Sequence, residues 1–203
     1  LIISFLIRLV EWMKERLLKA LTGYPVFSVR DIAGVLGKSQ NYAYLVAHRL
    51  KKAGVIHEIE KGKYSVDSDP FLVASWITWP SYISSWAALN FHRLTEQLPF
   101  TIHVVTTRKR KQKIIAFGGA KIEFIKVKSS SFFGFERVSY RGREIFIAEK
   151  EKAIIDGLVG KKMSLDEVVE IVKDNPKKIN RGKLLAFARV FPKLLAKFGA
   201  VLK

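Results

Sequence analysis

Cysteine is absent from this chain of 203 residues, and its absence removes several classes of function. Without thiols there is no disulfide framework, no thiolate nucleophile and no cysteine-ligated metal site. The histidines are few, at positions 48, 57, 92 and 103, and their spacing is not that of metal ligands. A phosphate-cradling glycine loop with a lysine and the nucleophile elbow of hydrolases are missing too. We therefore expect no enzymatic activity, no cofactor and no bound metal.

Long hydrophobic runs are also missing. No apolar stretch approaches the ~20 residues that a membrane-spanning helix requires. The opening segment LIISFLI is apolar, but it is short, has no basic region before it and continues directly into Arg8 and Glu11. It also lacks the small-residue cleavage site of a secretory signal peptide. We expect a cytoplasmic protein that does not associate with a membrane.

Acidic residues are scarce beside basic ones. The chain has 36 lysines and arginines against 18 aspartates and glutamates, which gives a net charge of +18. A protein this basic usually meets a polyanion, either nucleic acid or an anionic membrane surface. The lysine-rich surface of a thermophile and a face for an acidic protein partner are the alternatives. Residues 1–66 carry +6 and residues 67–203 carry +12, so both parts contribute to the charge.

The segment from Ser28 to Val66 predicts a winged helix-turn-helix. Ser28 and Asp31 form a capping-box pattern, and Gly37 stands where a first helix would end. Ser39 is a typical cap for a second helix, which we expect to end near residue 53. The alternating segment IHEIEKGKYSV then predicts a hairpin with a basic turn. Modules with this order of elements place the second helix in the major groove of DNA.

The predicted second helix has one apolar and one polar face. Ala43, Val46, Ala47 and Leu50 share the face that must pack on the core. The opposite face is polar except for Leu45, and its groups can read base edges or bind phosphates. We expect DNA contacts from Ser39, Gln40, Asn41, Tyr44, His48, Arg49 and Lys52 on the helix, and from Lys61 and Lys63 on the hairpin. The alternative is a winged helix that contacts only proteins.

The first 27 residues predict an amphipathic helix. Apolar residues from Ile3 to Leu21 recur at a spacing of three to four, with charged residues between them, and Gly23 is a typical stop. A winged helix needs only the second half of this helix as a cover for its other helices. The surplus residues 1–10 predict either a dimerisation arm of a homodimer or a segment that packs on the C-terminal domain of the same chain.

A second domain is expected to begin at the segment Asp67–Pro70, which breaks the preceding pattern. We predict an α+β protein with a winged helix-turn-helix domain and its long N-terminal helix at residues 1–66. Residues 67–203 are predicted to form a mixed α/β domain with a short sheet and helices. Within it, residues 71–77 predict a short helix, and residues 79–98 carry apolar residues roughly at helical spacing.

Basic residues are concentrated between two predicted strands of the second domain. Residues 101–107 and 113–117 predict strands of a hairpin, with Arg108, Lys109, Arg110 and Lys111 at its tip. These four adjacent cations predict contact with phosphate or with an acidic partner, and a merely solvated turn is the alternative.

The rest of the second domain predicts strands and then helices. The strand after residue 120 changes phase at Phe124, which predicts a bulge, and a further hairpin turns around Arg141-Gly142. Helices follow from residue 148, one of them opened by Ser164, and Pro192 divides the last basic segment. Asp156 lies beside an apolar stripe, which favours a buried hydrogen-bond acceptor over a catalytic acid.

Three segments carry a family resemblance: the winged-helix region that ends in GKY, then SYISSWAALNFHRLTEQLPFTIHVVTT, and later IAEKEKAIIDGLV. Together they resemble the AbiEi-like antitoxins of type IV toxin–antitoxin (abortive infection) systems, described as predicted transcriptional regulators of viral defence. The resemblance covers roughly residues 28–159, and the chain departs from the family pattern in its long N-terminal helix and compact C-terminal region. It implies that the winged helix binds inverted repeats in double-stranded DNA and represses its own operon. It also implies that the C-terminal domain counteracts a nucleotidyltransferase-like toxin.

Two other functions compete with a transcriptional regulator. Glu123 and Lys126, with a further carboxylate such as Glu149, match the acidic and lysine residues around the divalent ion of some nucleases. An architectural DNA-binding protein without an operon of its own would have the same charge. Because the glutamate–lysine spacing is frequent by chance in a charged chain, we expect a DNA-binding regulator.

Overall fold

The computed structural model describes residues 15, 17, 19–21 and 23–198, which divide into two compact units. Unit 1 comprises Leu1–Asp69 and unit 2 comprises Pro70–Lys203. The predicted dimerisation arm at residues 1–10 lies outside the described residues. Leu17 and Leu21, one helical turn apart, are helical and buried in unit 1.

Besides the helical residues around Leu17 and Leu21, the described part of unit 1 contains two further helices and a small antiparallel sheet. Its elements are β1 (Phe27–Ser28), α1 (Val29–Leu36), α2 (Gln40–Lys52), β2 (His57–Glu60) and β3 (Lys63–Ser65). The sheet has the order β1-β3-β2, and the pairing of β2 with β3 shifts register between Glu58 and Glu60. The predicted basic hairpin is therefore present.

The ends of α1 and α2 follow directly from the sequence. Ser28 and Asp31 form a complete capping box, in which the Ser28 amide donates to the Asp31 carboxylate at 2.6 Å. Gly37 ends α1 in the left-handed conformation, with φ of 62°, which glycine adopts at little cost. Ser39 caps α2 by accepting a hydrogen bond from the Tyr42 amide at 3.3 Å. All three predictions are confirmed.

The core of unit 1 lies between its helices and its sheet. Ile32 of α1 and Ala43, Ala47 and Leu50 of α2 are buried, and Val46 is half-buried. The predicted packing face of α2 is confirmed. Because the two alanines are small, α1 and α2 can approach closely, and the polar face of α2 remains at the surface.

Unit 2 is built on a six-stranded mixed sheet with helices. Its strands are β4 (Ser81–Ser84), β5 (Thr101–Thr106), β6 (Ile114–Phe117), β7 (Ala120–Lys126), β8 (Phe135–Tyr140) and β9 (Arg143–Ala148). Its helices are α3 (Pro70–Ala74), α4 (Ser85–Phe91), α5 (Lys150–Val159), α6 (Leu165–Asp174), α7 (Arg181–Ala188) and α8 (Pro192–Phe198). The strand order is β6-β7-β5-β4-β9-β8, so the described residues confirm an α+β fold with a sheet and helices in the second unit.

The prediction of a helix over residues 79–98 is wrong at both ends, since the helix α4 covers only Ser85–Phe91. The chain forms the strand β4 before α4 begins at Ser85. All four residues of β4 are buried, because β4 lies inside the sheet between β5 and β9. A strand that is buried throughout shows no alternation of polar and apolar residues, so its pattern cannot be distinguished from that of a buried helix.

The prediction that β5 and β6 form a hairpin is also wrong. β7 lies between β5 and β6, pairing parallel with β5 and antiparallel with β6. The segment Arg108–Lys111 is therefore part of a crossover connection rather than a hairpin tip. β7 pairs with β5 in continuous register from Lys121 to Lys126, so the predicted bulge at Phe124 is absent.

The predicted short helix, second hairpin and late helices of unit 2 are present, the short helix over fewer residues than the predicted 71–77. Residues 70–74 form the short helix α3, and β8 and β9 form a hairpin that turns at Arg141 and Gly142, both with positive φ. Ser164 caps α6 and forms a capping box with Glu167. Pro192 is the first residue of α8, so the last basic segment is divided into α7 and α8 as predicted. Within the described part of the chain, no helix has the length and hydrophobicity needed to cross a membrane.

Candidate nucleic-acid interface

The exposed face of α2 carries most of the residues predicted to contact DNA. Its polar residues are all exposed: Ser39 at the cap, then Gln40, Asn41, Tyr44, His48, Arg49 and Lys52. Leu45 is exposed among them, which agrees with the predicted exposure of this face. The helix begins at Gln40 immediately after the turn, so Gln40 and Asn41 stand in its first turn beside the uncompensated amide groups of the helix end.

The two lysines of the basic hairpin differ in their surroundings. Lys61 is exposed at the turn, next to Gly62 with its φ of 79°. Lys63 is the first residue of β3, and its ammonium lies 2.9 Å from the carboxylate of Glu60. Only Lys61 therefore extends from the turn without a carboxylate beside it in the described residues.

A hydrogen bond holds α2 against the same hairpin. The ammonium of Lys51 donates to the carboxylate of Glu58 on β2, and this hydrogen bond and the charge of Glu58 raise the pKa of Lys51. Burial raises the pKa of the Tyr64 hydroxyl on the neighbouring strand. The helix and the hairpin are thus linked through a partly exposed ion pair, of a kind that contributes little to stability.

In unit 2, the sheet topology collects positive charge at one edge, which we name the basic edge. The end of β5 pairs with the start of β4 through Thr106 and Ser81. Because β7 runs parallel to β5 it ends at this edge, and because β9 runs parallel to β4 it begins there. The basic residues that follow or precede the strands at this edge are Arg108, Lys109, Arg110, Lys111, Lys113, Lys126, Lys128, Arg141 and Arg143. With strands about 4.8 Å apart, six strands make an edge about 24 Å wide.

In the crossover connection, the two arginines contact other residues of the protein and the two lysines are exposed. Arg108 donates from Nε to the carbonyl of Trp79 at 3.3 Å, and Arg110 donates to the hydroxyl of Thr78. Arg110 also lies over the ring of Phe124, at 4.1 Å from its centroid. Lys109 and Lys111 are exposed. The segment is therefore anchored by its arginines while its lysines point to solvent.

A cleft of about 530 Å³ lies on the basic edge. Among the described residues, its cationic lining consists of Arg108, Lys109, Arg110, Lys113, Lys126 and Lys162, and its acidic lining is Glu123 alone. Both oxygens of Glu123 accept from the ammonium of Lys162, at 2.8 and 2.9 Å. The cleft therefore keeps a strong positive charge after that pair is formed.

Trp79 also belongs to this surface, although its place in the sequence does not mark it as a functional residue. Its side chain is 58% exposed, although tryptophan is highly buried on average. Its ring packs on Phe146, with 4.8 Å between centroids, and on Trp76, with 6.5 Å. The sequence around Trp79 does not predict this exposure, because the burial of a side chain depends on the tertiary structure.

A buried polar network joins β4 to α5. Asp156 is 7% exposed and accepts hydrogen bonds from the Tyr82 hydroxyl at 3.0 Å, the Ser84 hydroxyl at 2.8 Å and the ammonium of Lys152. Burial raises the pKa of Asp156, and Lys152 opposes that shift. Burial and the charge of Asp156 raise the pKa of Tyr82. The prediction that Asp156 is a buried acceptor is confirmed.

The nuclease residues are not brought together. Glu149 stands at the end of β9, three strands away from Glu123 on β7, or about 14 Å across the sheet. Glu123 instead binds Lys162 and has His103 at 3.5 Å. Across the described ranges, no three histidine or carboxylate side chains cluster in a way that could hold a metal ion. The geometry therefore gives no support to a metal-dependent nuclease at Glu123, Lys126 and Glu149.

Ser85 has the backbone of a nucleophile but not its surroundings. It lies at the junction of β4 and α4 with φ of 57°, as in the strand-to-helix turn of hydrolases. Its side chain is buried against Gly157, and its hydroxyl lacks a hydrogen-bond partner in the described structure. His103, opposite Ser84 on β5, does not hydrogen-bond to it. A packing role accounts for this geometry.

Replacing His103 by glutamine is expected to remove one component of acid destabilisation. His103 is 6% exposed, and burial lowers its pKa from the usual 6.5. The unfolded chain therefore takes up this proton at higher pH than the folded chain, so the wild-type protein should lose stability as the pH falls below about 6.5. One proton limits the slope to about 1.4 kcal/mol per pH unit. Urea denaturation at several pH values between 5 and 7 measures it, and curves that stay parallel for both proteins would contradict the assignment.

Comparison with known proteins adds no relative: no protein-family model matches the chain, and no curated protein matches it at a significant level.

Proposed function

We propose that this protein is a sequence-specific DNA-binding regulator and that unit 1 is a winged helix-turn-helix. The exposed polar face of α2 carries the proposal, since base-reading and phosphate-binding groups occupy it while its apolar face is buried. Asn41 in the first turn of α2 would present an amide to a base edge in the major groove. Arg49 and Lys52, further along the helix, would contact the phosphates.

The arrangement around α2 supports this function. The tight turn between α1 and α2 is only three residues long, from Gly37 to Ser39, as in helix-turn-helix modules. The hairpin of β2 and β3 serves as the wing, and the partly exposed ion pair between Lys51 and Glu58 links it to the recognition helix. Lys61 at the turn of the wing would reach a phosphate.

Replacing Lys61 by alanine is expected to weaken binding to every duplex by a similar factor. The lysine at the turn would neutralise a phosphate, which carries no sequence information. Its loss should reduce the slope of log affinity against log salt by about 0.9. Fluorescence anisotropy with the DNA upstream of the gene and with a random duplex, each titrated with salt, measures both effects.

Lys63 provides the matched control on the same hairpin. Because its ammonium is paired with Glu60, Lys63→Ala should change the salt slope less than Lys61→Ala. Equal changes in both variants would contradict the assignment of Lys61 to the turn of the wing. A footprint on the upstream DNA that shows no protected inverted repeat would contradict the regulatory function as a whole.

We further propose that the regulator is the autorepressing antitoxin of a type IV toxin–antitoxin system. The resemblance to AbiEi-like antitoxins supports this proposal. Of the segments that carry it, the two in unit 2, which begin with SYISSW and IAEKEK, contact each other in the fold. Tyr82 and Ser84 from the first segment share the carboxylate of Asp156 from the second. The residues of the resemblance therefore stabilise one structure rather than lying scattered over the surface.

The antitoxin function has a direct genetic test. The neighbouring gene is expected to encode a nucleotidyltransferase-like toxin, whose expression alone stops growth. Coexpression of this protein should restore growth, and a variant with alanine at Asn41 should still restore it if unit 2 is the neutralising part. A neighbouring gene of another class, or a toxin that coexpression does not relieve, would overturn the antitoxin function but leave DNA binding intact.

A further inference from the structure

We propose that the basic edge of unit 2 binds single-stranded nucleic acid, with phosphates in the cationic cleft and an unpaired base stacked on Trp79. This site lies wholly within unit 2 and does not depend on the DNA-binding function of unit 1. It also gives a physical role to the larger share of the positive charge, which residues 67–203 carry.

The cleft has the charge and size for phosphates. Four of its cations, Arg108, Lys109, Lys113 and Lys126, form no ion pair with any described residue. Its volume of about 530 Å³ lies in the range of sites that hold small ligands. Clustered lysines and arginines of this kind bind phosphate oxygens through charge-assisted hydrogen bonds.

The cleft is also held in shape before any ligand binds. The Thr106 hydroxyl donates to the carbonyl of Pro80 at 2.7 Å and accepts from the amide of Arg108 at 3.1 Å. Arg108 in turn binds the carbonyl of Trp79. The phosphate-binding segment and the tryptophan are therefore tied to the same point of the sheet, so little entropy is lost when one ligand contacts both.

Trp79 distinguishes a nucleic acid from other polyanions. Its exposed ring is nearly parallel to that of Trp76, with 21° between the planes, and packs at a tilt of 58° on Phe146. The Nε1 of Trp76 donates to the carbonyl of Glu144 at 2.7 Å, which holds this support in place. An exposed aromatic ring beside a cationic groove is the arrangement that proteins use to stack successive bases of a single strand. The bases of a duplex are stacked on each other and cannot use such a ring, and the carboxylate side chains of an acidic peptide have no aromatic face to stack on it.

The row of cations continues beyond the cleft. Lys111 and Lys128 flank it, and Arg141 and Arg143 stand at the same edge beyond β4. An edge about 24 Å wide accommodates several nucleotides rather than one. The site therefore fits a strand better than a free nucleotide.

The test measures binding of the full chain to a fluorescent oligothymidylate of about 15 nucleotides. Trp79→Leu, which keeps an apolar contact with Phe146, is expected to weaken binding about 5- to 150-fold, and Trp79→Phe should restore most of it. Because Trp79 is mostly exposed, neither change empties the core. The triple change Lys109→Gln, Lys113→Gln and Lys126→Gln should lower the salt slope by about 2.

Matched controls and competitors make the outcome decisive. Lys173→Gln and Lys177→Gln remove exposed charges elsewhere in unit 2 and should leave the affinity within about twofold. A duplex of the same length, thymidine monophosphate and polyglutamate should each compete poorly for this site. Equal competition by the mononucleotide or by polyglutamate would overturn the proposal in favour of a small ligand or an acidic protein, and an unchanged affinity of Trp79→Leu would overturn it outright.

The failure of this site is separable from the failure of unit 1. Part of the oligothymidylate affinity is expected to come from unit 2, and this is the part that Trp79→Leu removes. Asn41→Ala should leave it unchanged. If Asn41→Ala removes that component and Trp79→Leu does not, the single strand binds to unit 1 and the assignment to the basic edge is wrong.

Discussion

Lys152→Met is expected to lower the free energy of unfolding by about 3–5 kcal/mol, the largest effect of any single change considered. The side chain of Lys152 is fully buried, and its ammonium binds Asp156 among the rings of Tyr82 and Phe133. Methionine fills a similar volume but leaves the carboxylate of Asp156 buried with only hydroxyl partners. Removing one partner of a buried ion pair leaves an uncompensated charge, which costs far more than the pair contributed.

Chemical denaturation, followed by circular dichroism, measures this loss. The deficit should shrink as the pH falls, because without the ammonium the buried carboxyl takes up a proton more readily. The double variant Lys152→Met with Asp156→Asn should regain much of the stability, since an amide can still accept from Tyr82 and Ser84. Lys173→Met on the exposed side of α6 should change stability by no more than about 0.5 kcal/mol. A loss below about 1 kcal/mol in Lys152→Met would mean that the charge of Asp156 is not buried in solution.

Asn41→Ala is expected to weaken binding to the natural operator by about 1–3 kcal/mol, or about 5- to 150-fold, with little effect on random duplexes. An asparagine amide can form two hydrogen bonds to adenine in the major groove, and alanine forms none. The exposed position of Asn41 in the first turn of α2 means that the change removes no core contact. Anisotropy titrations with the footprinted operator and with a scrambled duplex give the two affinities.

Lys51 on the same helix is the control for this experiment. Its ammonium is held by Glu58, so Lys51→Ala should leave the ratio of specific to non-specific affinity unchanged. If Asn41→Ala weakens both duplexes equally, Asn41 contacts the backbone and another face of α2 reads the bases. That outcome would reject the orientation of α2 proposed for the recognition helix.

Local structure was predictable where a few neighbouring residues determine it. The capping boxes at Ser28 and Ser164, the left-handed Gly37 and the break at Pro192 all follow from backbone chemistry within one turn of helix. The exposed face of α2 was predictable as well, since helical periodicity alone separates it from Ala43 and Ala47. The candidate contacts on α2 thus required no long-range information.

Structure that depends on distant residues was not predictable. β7 inserts between β5 and β6 because parallel pairing with β5 buries Ile122 and Phe124, and neither residue signals its partner strand. Consecutive strands pair in most sheets, so a hairpin was the natural expectation. The exposure of Trp79 and the cleft beside it follow from that same topology. The nucleic-acid site of unit 2 therefore became visible only when the order of the strands was known.

The position of β4 in the sheet has a consequence for the order of folding. Ile83 of β4 pairs with Ile147 of β9, and all the strands from β5 to β8 are synthesised between them. Closing so long a loop costs entropy that only the completed pairing recovers, so we expect β9 to dock late. Asp156 on α5 follows β9 along the chain, which means that the acceptor for Tyr82 and Ser84 arrives in the same late step. One docking event would then join the two halves of the sheet and bring Tyr82 and Ser84 to the buried pair of Lys152 and Asp156 on α5, which makes the folding of unit 2 a single cooperative event.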